Sequence, residues 1–158
     1  MSLDAAALST ALRNALESAP ASASAAASAL AAAYHTYATA GRFGTSIPTL
    51  PTAKRDAMAA TLTAALVPAS GSPASFANAW ASALTVYWTG VAVTGTQTGT
   101  TTPPTGGAAL IASLTALFAS YPATASACAS GLSSALDTCT KTTIATVTPP
   151  AGTILPLL

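Results

Sequence analysis

One histidine, two cysteines, four acids and five bases are the whole stock from which this 158-residue chain could build a reactive site. His35 stands on a helical stretch with Tyr34 and Tyr37, and no Gly-x-Ser-x-Gly elbow or neighbouring acid joins it in a nucleophile–base–carboxylate pattern. A ring placed this way reads as a partly packed side chain. Cys128 and Cys139 are eleven residues apart, which on a continuous helix is about 16 Å. A disulfide tolerates at most about 7 Å between Cα atoms, so the two thiols are expected to stay unbridged and to pack as small hydrophobes. Residues 90–107 (GVAVTGTQTGTTTPPTGG) have the glycines of a phosphate-binding loop but no lysine to meet the phosphate charge. No group of His, Cys, Asp or Glu has metal-ligand spacing. Lys54, Arg55 and Asp56 read as the solvated first turn of a helix. The expectation is a chain without catalytic residues, metal, cofactor or small-molecule substrate.

The charge pattern narrows the class further. Charged residues make up 6% of the chain and the formal net charge is +1, against about 25% charged residues in an ordinary domain. Nothing between positions 57 and 136 is charged. That excludes a nucleic-acid binder working by phosphate neutralisation, which needs clustered Lys and Arg. Ala, Ser and Thr together supply more than half the residues, yet 51% of the chain is hydrophobic and its mean hydropathy is +0.55, the reverse of a disordered composition. The length suits one domain with one modest core. Residues 76–93 (FANAWASALTVYWTGVAV) approach bilayer length without a charge. Asn78, Ser82, Thr85 and Thr89 interrupt them and no Lys or Arg flanks them, so the stretch reads as a buried helix and no membrane partner is expected. No basic, leucine-rich leader opens the chain and two cysteines make no disulfide framework. Synthesis in a bacterial cytoplasm is the expectation.

Large apolar residues then place the elements. Leu8, Leu12 and Leu16 recur at helical spacing behind a cap at Ser2 or Asp4; Leu30, Tyr34 and Tyr37 form a second stripe; Met58, Leu62 and Leu66 a third. Phe76, Trp80, Leu84 and Tyr87 follow Ser72 and Pro73, a cap and a first-turn proline. Leu110, Leu114, Leu117 and Phe118 make the fifth stripe, and Cys128, Leu132, Leu136 and Cys139 the sixth. The fold class expected is mainly α: six short helices as three consecutive helical hairpins, in one domain, spanning about 3–41, 52–90 and 107–140. Thr/Pro/Gly-rich extended arms follow each hairpin, with one short strand near the C-terminus in 141–148 (KTTIATVT) and a counterpart at 91–94. The last arm, 141–158, ends in the apolar TILPLL.

A shift of 50 lays Leu8, Leu12 and Leu16 on Met58, Leu62 and Leu66, and Leu30, Tyr34 and Tyr37 on Trp80, Leu84 and Tyr87. A further shift of 52 reaches Leu110, Leu114 and Phe118, and carries Phe76, Trp80, Leu84 and Tyr87 to Cys128, Leu132, Leu136 and Cys139. An internal triplication accounts for this; the alternative is three leucine-striped hairpins of equal length.

Neutrality points to association, because a soluble monomer normally keeps its net charge away from zero. Tyr87 and Trp88, adjacent on a helix, point about 100° apart, so one of them is expected to meet a partner or the following arm. Ile144, Val147, Ile154, Leu155, Leu157 and Leu158 complete the candidate interface, with 142–158 docking by strand addition on a neighbouring subunit. In its short helical hairpins, its arms and phrases such as FANAWASALTVYWTGVAV and VTPPAGTILPLL, the chain resembles small Ala/Thr-rich structural proteins of tailed bacteriophages or phage-derived particles. That resemblance implies a capsid, neck or tail component whose partners are itself or other particle subunits, and incorporation into a virion or phage-like particle. A cell-surface or secreted binding module and a holin-like membrane-active protein are the alternatives.

Overall fold

Side-chain oxygens decide where most of the helices begin. In the computed structural model, which describes residues 3–18, 20–67, 71–148 and 152–158, α1 (Ala5–Glu17) starts behind Asp4, whose Oδ1 accepts from the N–H groups of Ala6 and Ala7. Helices α2 (Ala23–Ala38), α4 (Pro73–Trp88) and α6 (Ala125–Thr140) start behind Ser22, Ser72 and Thr124. Each of these hydroxyls accepts from the N–H three residues on. Such a cap stabilises a helix by about 1 kcal/mol. Helices α3 (Thr52–Leu66) and α5 (Gly107–Ala119) begin after Pro51 and Gly106 with no side-chain cap.

The six helices pack in chain order, each on the next, and α6 returns onto α1, so the ring of contacts closes. Helices α1, α3 and α5 each bury two large side chains one turn apart: Leu8 and Leu12, Met58 and Leu62, Leu110 and Leu114. Helices α2, α4 and α6 bury broader faces, with Leu30, Tyr34 and Tyr37 on α2, Trp80, Leu84, Tyr87 and Trp88 on α4, and Leu132, Leu136 and Cys139 on α6. These residues join the inner face of a sheet in one hydrophobic core. On the outer helix faces, Thr10, Thr36, Thr61, Thr63, Thr85 and Thr138 donate to the carbonyl four residues back. The polar coat is therefore largely bonded to its own backbone.

The expected Thr/Pro/Gly-rich arms do not hang free. They assemble into a single antiparallel meander in the order β1 (Ile47–Thr49), β2 (Ala92–Thr94), β3 (Thr98–Thr102), β4 (Ile144–Thr148) and β5 (Thr153–Pro156). One short strand was expected near the C-terminus with a counterpart at 91–94; both form, as β4 and β2, and three more join them, because segments far apart in sequence also supply main-chain partners. Gly99 is required in this sheet, since a Cβ there would lie 2.0 Å from the Thr146 carbonyl oxygen. The two ends of the meander also meet. Phe43 bridges Leu157, and Arg42 and Leu158 exchange hydrogen bonds of 3.1 and 2.8 Å. The C-terminal arm thus pairs within its own chain rather than reaching out; residues 149–151 of it lie outside the described residues.

Val93, Ala145 and Val147 face inward over the helix ends. There the Phe43 ring meets Trp88 edge-on at 6.3 Å. The Thr101 hydroxyl donates to the Trp88 carbonyl and accepts from the Val91 N–H.

Candidate functional site

Where three helices end beneath the sheet, the chain buries a polar junction. The Trp88 indole of α4 donates to the Tyr34 hydroxyl of α2 at 2.8 Å, and that hydroxyl shares a 2.7 Å hydrogen bond with Thr140 of α6. All three residues are fully buried. Burial raises the Tyr34 phenol well above its ordinary pKa, against the lowering effect of its bonds to Thr140 and Trp88. Tyr34 remains protonated and serves as a tie between helices rather than as an acid or base.

Two further tyrosines tie neighbouring helices in the same manner. Tyr87 of α4 shares a 2.8 Å hydrogen bond with His35 Nδ1 of α2. Tyr37 of α2 donates at 2.7 Å to Asp137 Oδ1 of α6, whose Oδ2 meets Lys141 at 2.8 Å. Burial raises both phenols, and for Tyr37 the bond to Asp137 adds to the effect. Burial lowers the His35 pKa; Arg55 adds to this and Asp56 opposes it. His35 therefore rests neutral near pH 7 against a phenol that keeps its proton. Ser133, a buried serine of α6, donates to the Ser130 carbonyl of its own helix.

Apart from Arg42, the remaining charged side chains are engaged within the fold. Arg13 faces Glu17 at 4.0 Å, Arg55 holds Asp56 at 2.8 Å, Asp4 caps α1, and Lys54 bonds two carbonyls of α4. Both cysteines are free thiols. Burial pushes Cys139 up to about 11 and raises half-buried Cys128 as well. Among the described residues no group of three His, Cys, Asp or Glu could hold a metal ion, and no helix is long and apolar enough to cross a membrane.

The structure divides the candidate interface residues. Tyr87, Trp88, Val147 and Leu157 lie in the protein's own core, Ile144 and Leu155 are half-buried, and Ile154 and Leu158 are exposed at 61% and 53%. Tyr87 and Trp88 are both buried, and of the two partners expected for one of them, another protein or the following arm, it is the arm that Trp88 meets, through Thr101. Tyr87 packs onto α2, its ring 5.2 Å from Tyr34, while Trp88 meets the Phe43 ring edge-on and donates to Tyr34. A helix ring roofed by a sheet offers two directions of burial where a simple hairpin offers one.

A different surface stands out. On the outward face of the sheet, Thr100 lies between Ala92 and Thr146, and Thr146 pairs with Ile154. Thr98 pairs with Thr148, and Ile47 with Thr94. All of these are exposed, and none of the five strands contains a charged residue. Sequence reasoning selected Ile154 but missed the threonines and Ile47. The alternation Thr98-x-Thr100-x-Thr102 was the available signal. Comparison with protein-family models, curated proteins and solved structures finds no match to this chain.

Proposed function

We propose that this protein is a non-enzymatic structural subunit of a phage virion or phage-like particle, working through association of its uncharged surfaces with copies of itself or with other particle subunits. The observation that carries the reading is the outward sheet face, where exposed Ile154 and Ile47 sit among threonines on strands that contain no charged residue. Association of such a face removes apolar area from water at about 25 cal/mol per Å². The local use of nearly every charge supports the same reading, because the titratable groups are bound up in the fold.

In this proposal the body is a triplicated unit with approximate threefold symmetry. The buried pairs Leu8 and Leu12, Met58 and Leu62, Leu110 and Leu114 support it, standing at shifts of 50 and 52. The caps Ser22, Ser72 and Thr124 stand at the same shifts. So do the tyrosine ties. Tyr37 and Tyr87 hold equivalent places, and each bonds the equivalent residue, Asp137 or His35, of the unit before it around the ring. A single chain of this kind presents three related faces to its neighbours. The test replaces Ile47 and Ile154 together by Asp. Loss of association with an unchanged far-ultraviolet circular dichroism spectrum supports the reading, and association undiminished by two charges on that face refutes it.

A further inference from the structure

One end of the bundle departs from local rules that the rest of the chain obeys. Strands follow α2, α4 and α6 and precede α3 and α5, and Leu3, just before α1, lies against Gly41 beside the closing bridge. Helices α1, α3 and α5 therefore run away from the sheet, and their last turns stand at the end opposite it. Tyr121, just past α5, is the one described non-glycine residue with a positive φ, at 45°. Glycine is the usual residue at such a helix end, because a side chain there is strained. Tyr121 is 82% exposed, so burial within its own chain does not offset that strain. Val67, just past α3, is exposed as well. Glu17 closes α1, where the negative end of the helix dipole disfavours a carboxylate, and its contact with Arg13 is a loose 4.0 Å. Glu17 and Val67 hold equivalent places, 50 positions apart.

Beside the sheet stands the matching charge. Among the described residues Arg42 is the charged side chain that enters none of the ion pairs and bonds of the fold. Its main chain exchanges hydrogen bonds with Leu158, and the Phe43–Ser46 bridge sets it opposite Ile47. Phe43 and Leu157 are buried, so by strand alternation Arg42 and Leu158 point outward. Ile154 lies on the same face of β5, four residues before Leu158. Ile47, Ile154 and Leu158 are all exposed. One end of the molecule thus offers an acid with two large apolar side chains, and the other a base with three.

We propose that copies of this chain associate head to tail, the end bearing Glu17, Val67 and Tyr121 of one copy seated on the sheet of the next, with Glu17 facing Arg42. Charge complementarity selects this arrangement. A sheet-to-sheet pair brings two unpaired arginines into one apolar interface, and an unpaired charge is costly there. The head-to-tail contact gives Arg42 a carboxylate and covers the Tyr121 ring, whose strained backbone then serves a rigid aromatic anchor. Because the two surfaces differ, the contact is heterologous and builds a ring or a filament. The inference rests on the association reading above and names the surface that the sheet meets.

The test is the association constant of the full-length protein, read by sedimentation equilibrium, in variants of either end. Tyr121→Gly removes the ring and relieves the backbone. It should weaken association at least about tenfold while raising the thermal unfolding midpoint, a combination that a merely structural tyrosine would not give. Arg42→Glu and Glu17→Arg should each weaken association about two- to fivefold, as befits an exposed ion pair. The variant carrying both changes should recover most of the loss, because the charges are exchanged rather than removed. Association unmoved by Tyr121→Gly, or a double charge variant no stronger than either single one, overturns the proposal. A loss of association on replacing Ile47 and Ile154 by Asp, with no effect of any change at Glu17 or Tyr121, overturns it while leaving the association reading intact. A wild-type protein that stays at 15.3 kDa throughout overturns both.

Discussion

Replacing Tyr34 by Phe removes one oxygen from the junction beneath the sheet and leaves the ring in place. The edge-on contact with Tyr87 at 5.2 Å persists, so apolar burial is nearly unchanged. What changes is hydrogen bonding. The Trp88 N–H, which reached Tyr34 at 2.8 Å, is left buried without an acceptor, at a cost of about 1–3 kcal/mol. The Thr140 hydroxyl can turn back to its own helix, as other threonines of this chain do, so its loss is closer to one net hydrogen bond, about 1 kcal/mol. The sum is about 2–4 kcal/mol, a large part of the 5–15 kcal/mol typical of a domain. In urea, with a slope of about 1–3 kcal/mol per M, the midpoint falls by about 1–2 M and the slope stays constant. Thr140→Val in the Tyr34→Phe background then costs little, because its partner is already gone. A loss below about 1 kcal/mol for Tyr34→Phe, or additive losses in the double variant, would show that the junction does not bind the three helices together.

Other positions give equally direct readings. Gly99→Ala drives a methyl into the Thr146 carbonyl and should cost at least about 1–3 kcal/mol in thermal or urea unfolding, as overpacking does; a neutral result would mean that β3 and β4 are not in contact there. The fold lowers the His35 pKa through burial first and Arg55 second. The unfolded chain therefore binds the proton more readily, and stability should fall as pH drops below the ordinary histidine value of 6.5, levelling off beneath the lowered folded value. His35→Gln should flatten that part of the pH profile, and a profile unchanged by this substitution would contradict the assignment. In the native protein iodoacetamide should label half-buried Cys128 well before Cys139, whose thiol is buried and pushed up to about 11; mass spectrometry after cleavage on the N-terminal side of Asp137, which parts the two cysteines, reads the order.

How far the residues alone reveal this fold depends on which links of the chain are local. The helices are legible because their signals lie within a few positions: Asp4 and Ser72 cap, Pro73 starts, and Leu8 with Leu12 or Met58 with Leu62 mark one buried face. The sheet is legible only at β4 and β2, because β3 shows no apolar alternation. Its inward positions are Gly99 and Thr101, chosen for close approach to β4 and for bonding the Trp88 carbonyl, and neither reads as a core residue in isolation. One of its two partners, β4, stands more than forty residues away, as Thr146 does from Thr100. The same gap explains Trp88 and Leu157. Each looks like a surplus apolar side chain until the sheet, to which Leu157 itself belongs, is known. Lys54 was read as a solvated first-turn residue, and only the closeness of the α4 carbonyls reveals its use.

The central claim is association through an uncharged surface, and the measurement that meets it most directly is molar mass by light scattering on a sizing column over a wide range of protein concentration. The account predicts a defined oligomer or a polymer that grows with concentration, reverting toward 15.3 kDa when Ile47 and Ile154 are both replaced by Asp. A constant 15.3 kDa at every concentration would contradict self-association and leave a subunit that could act only against a different protein.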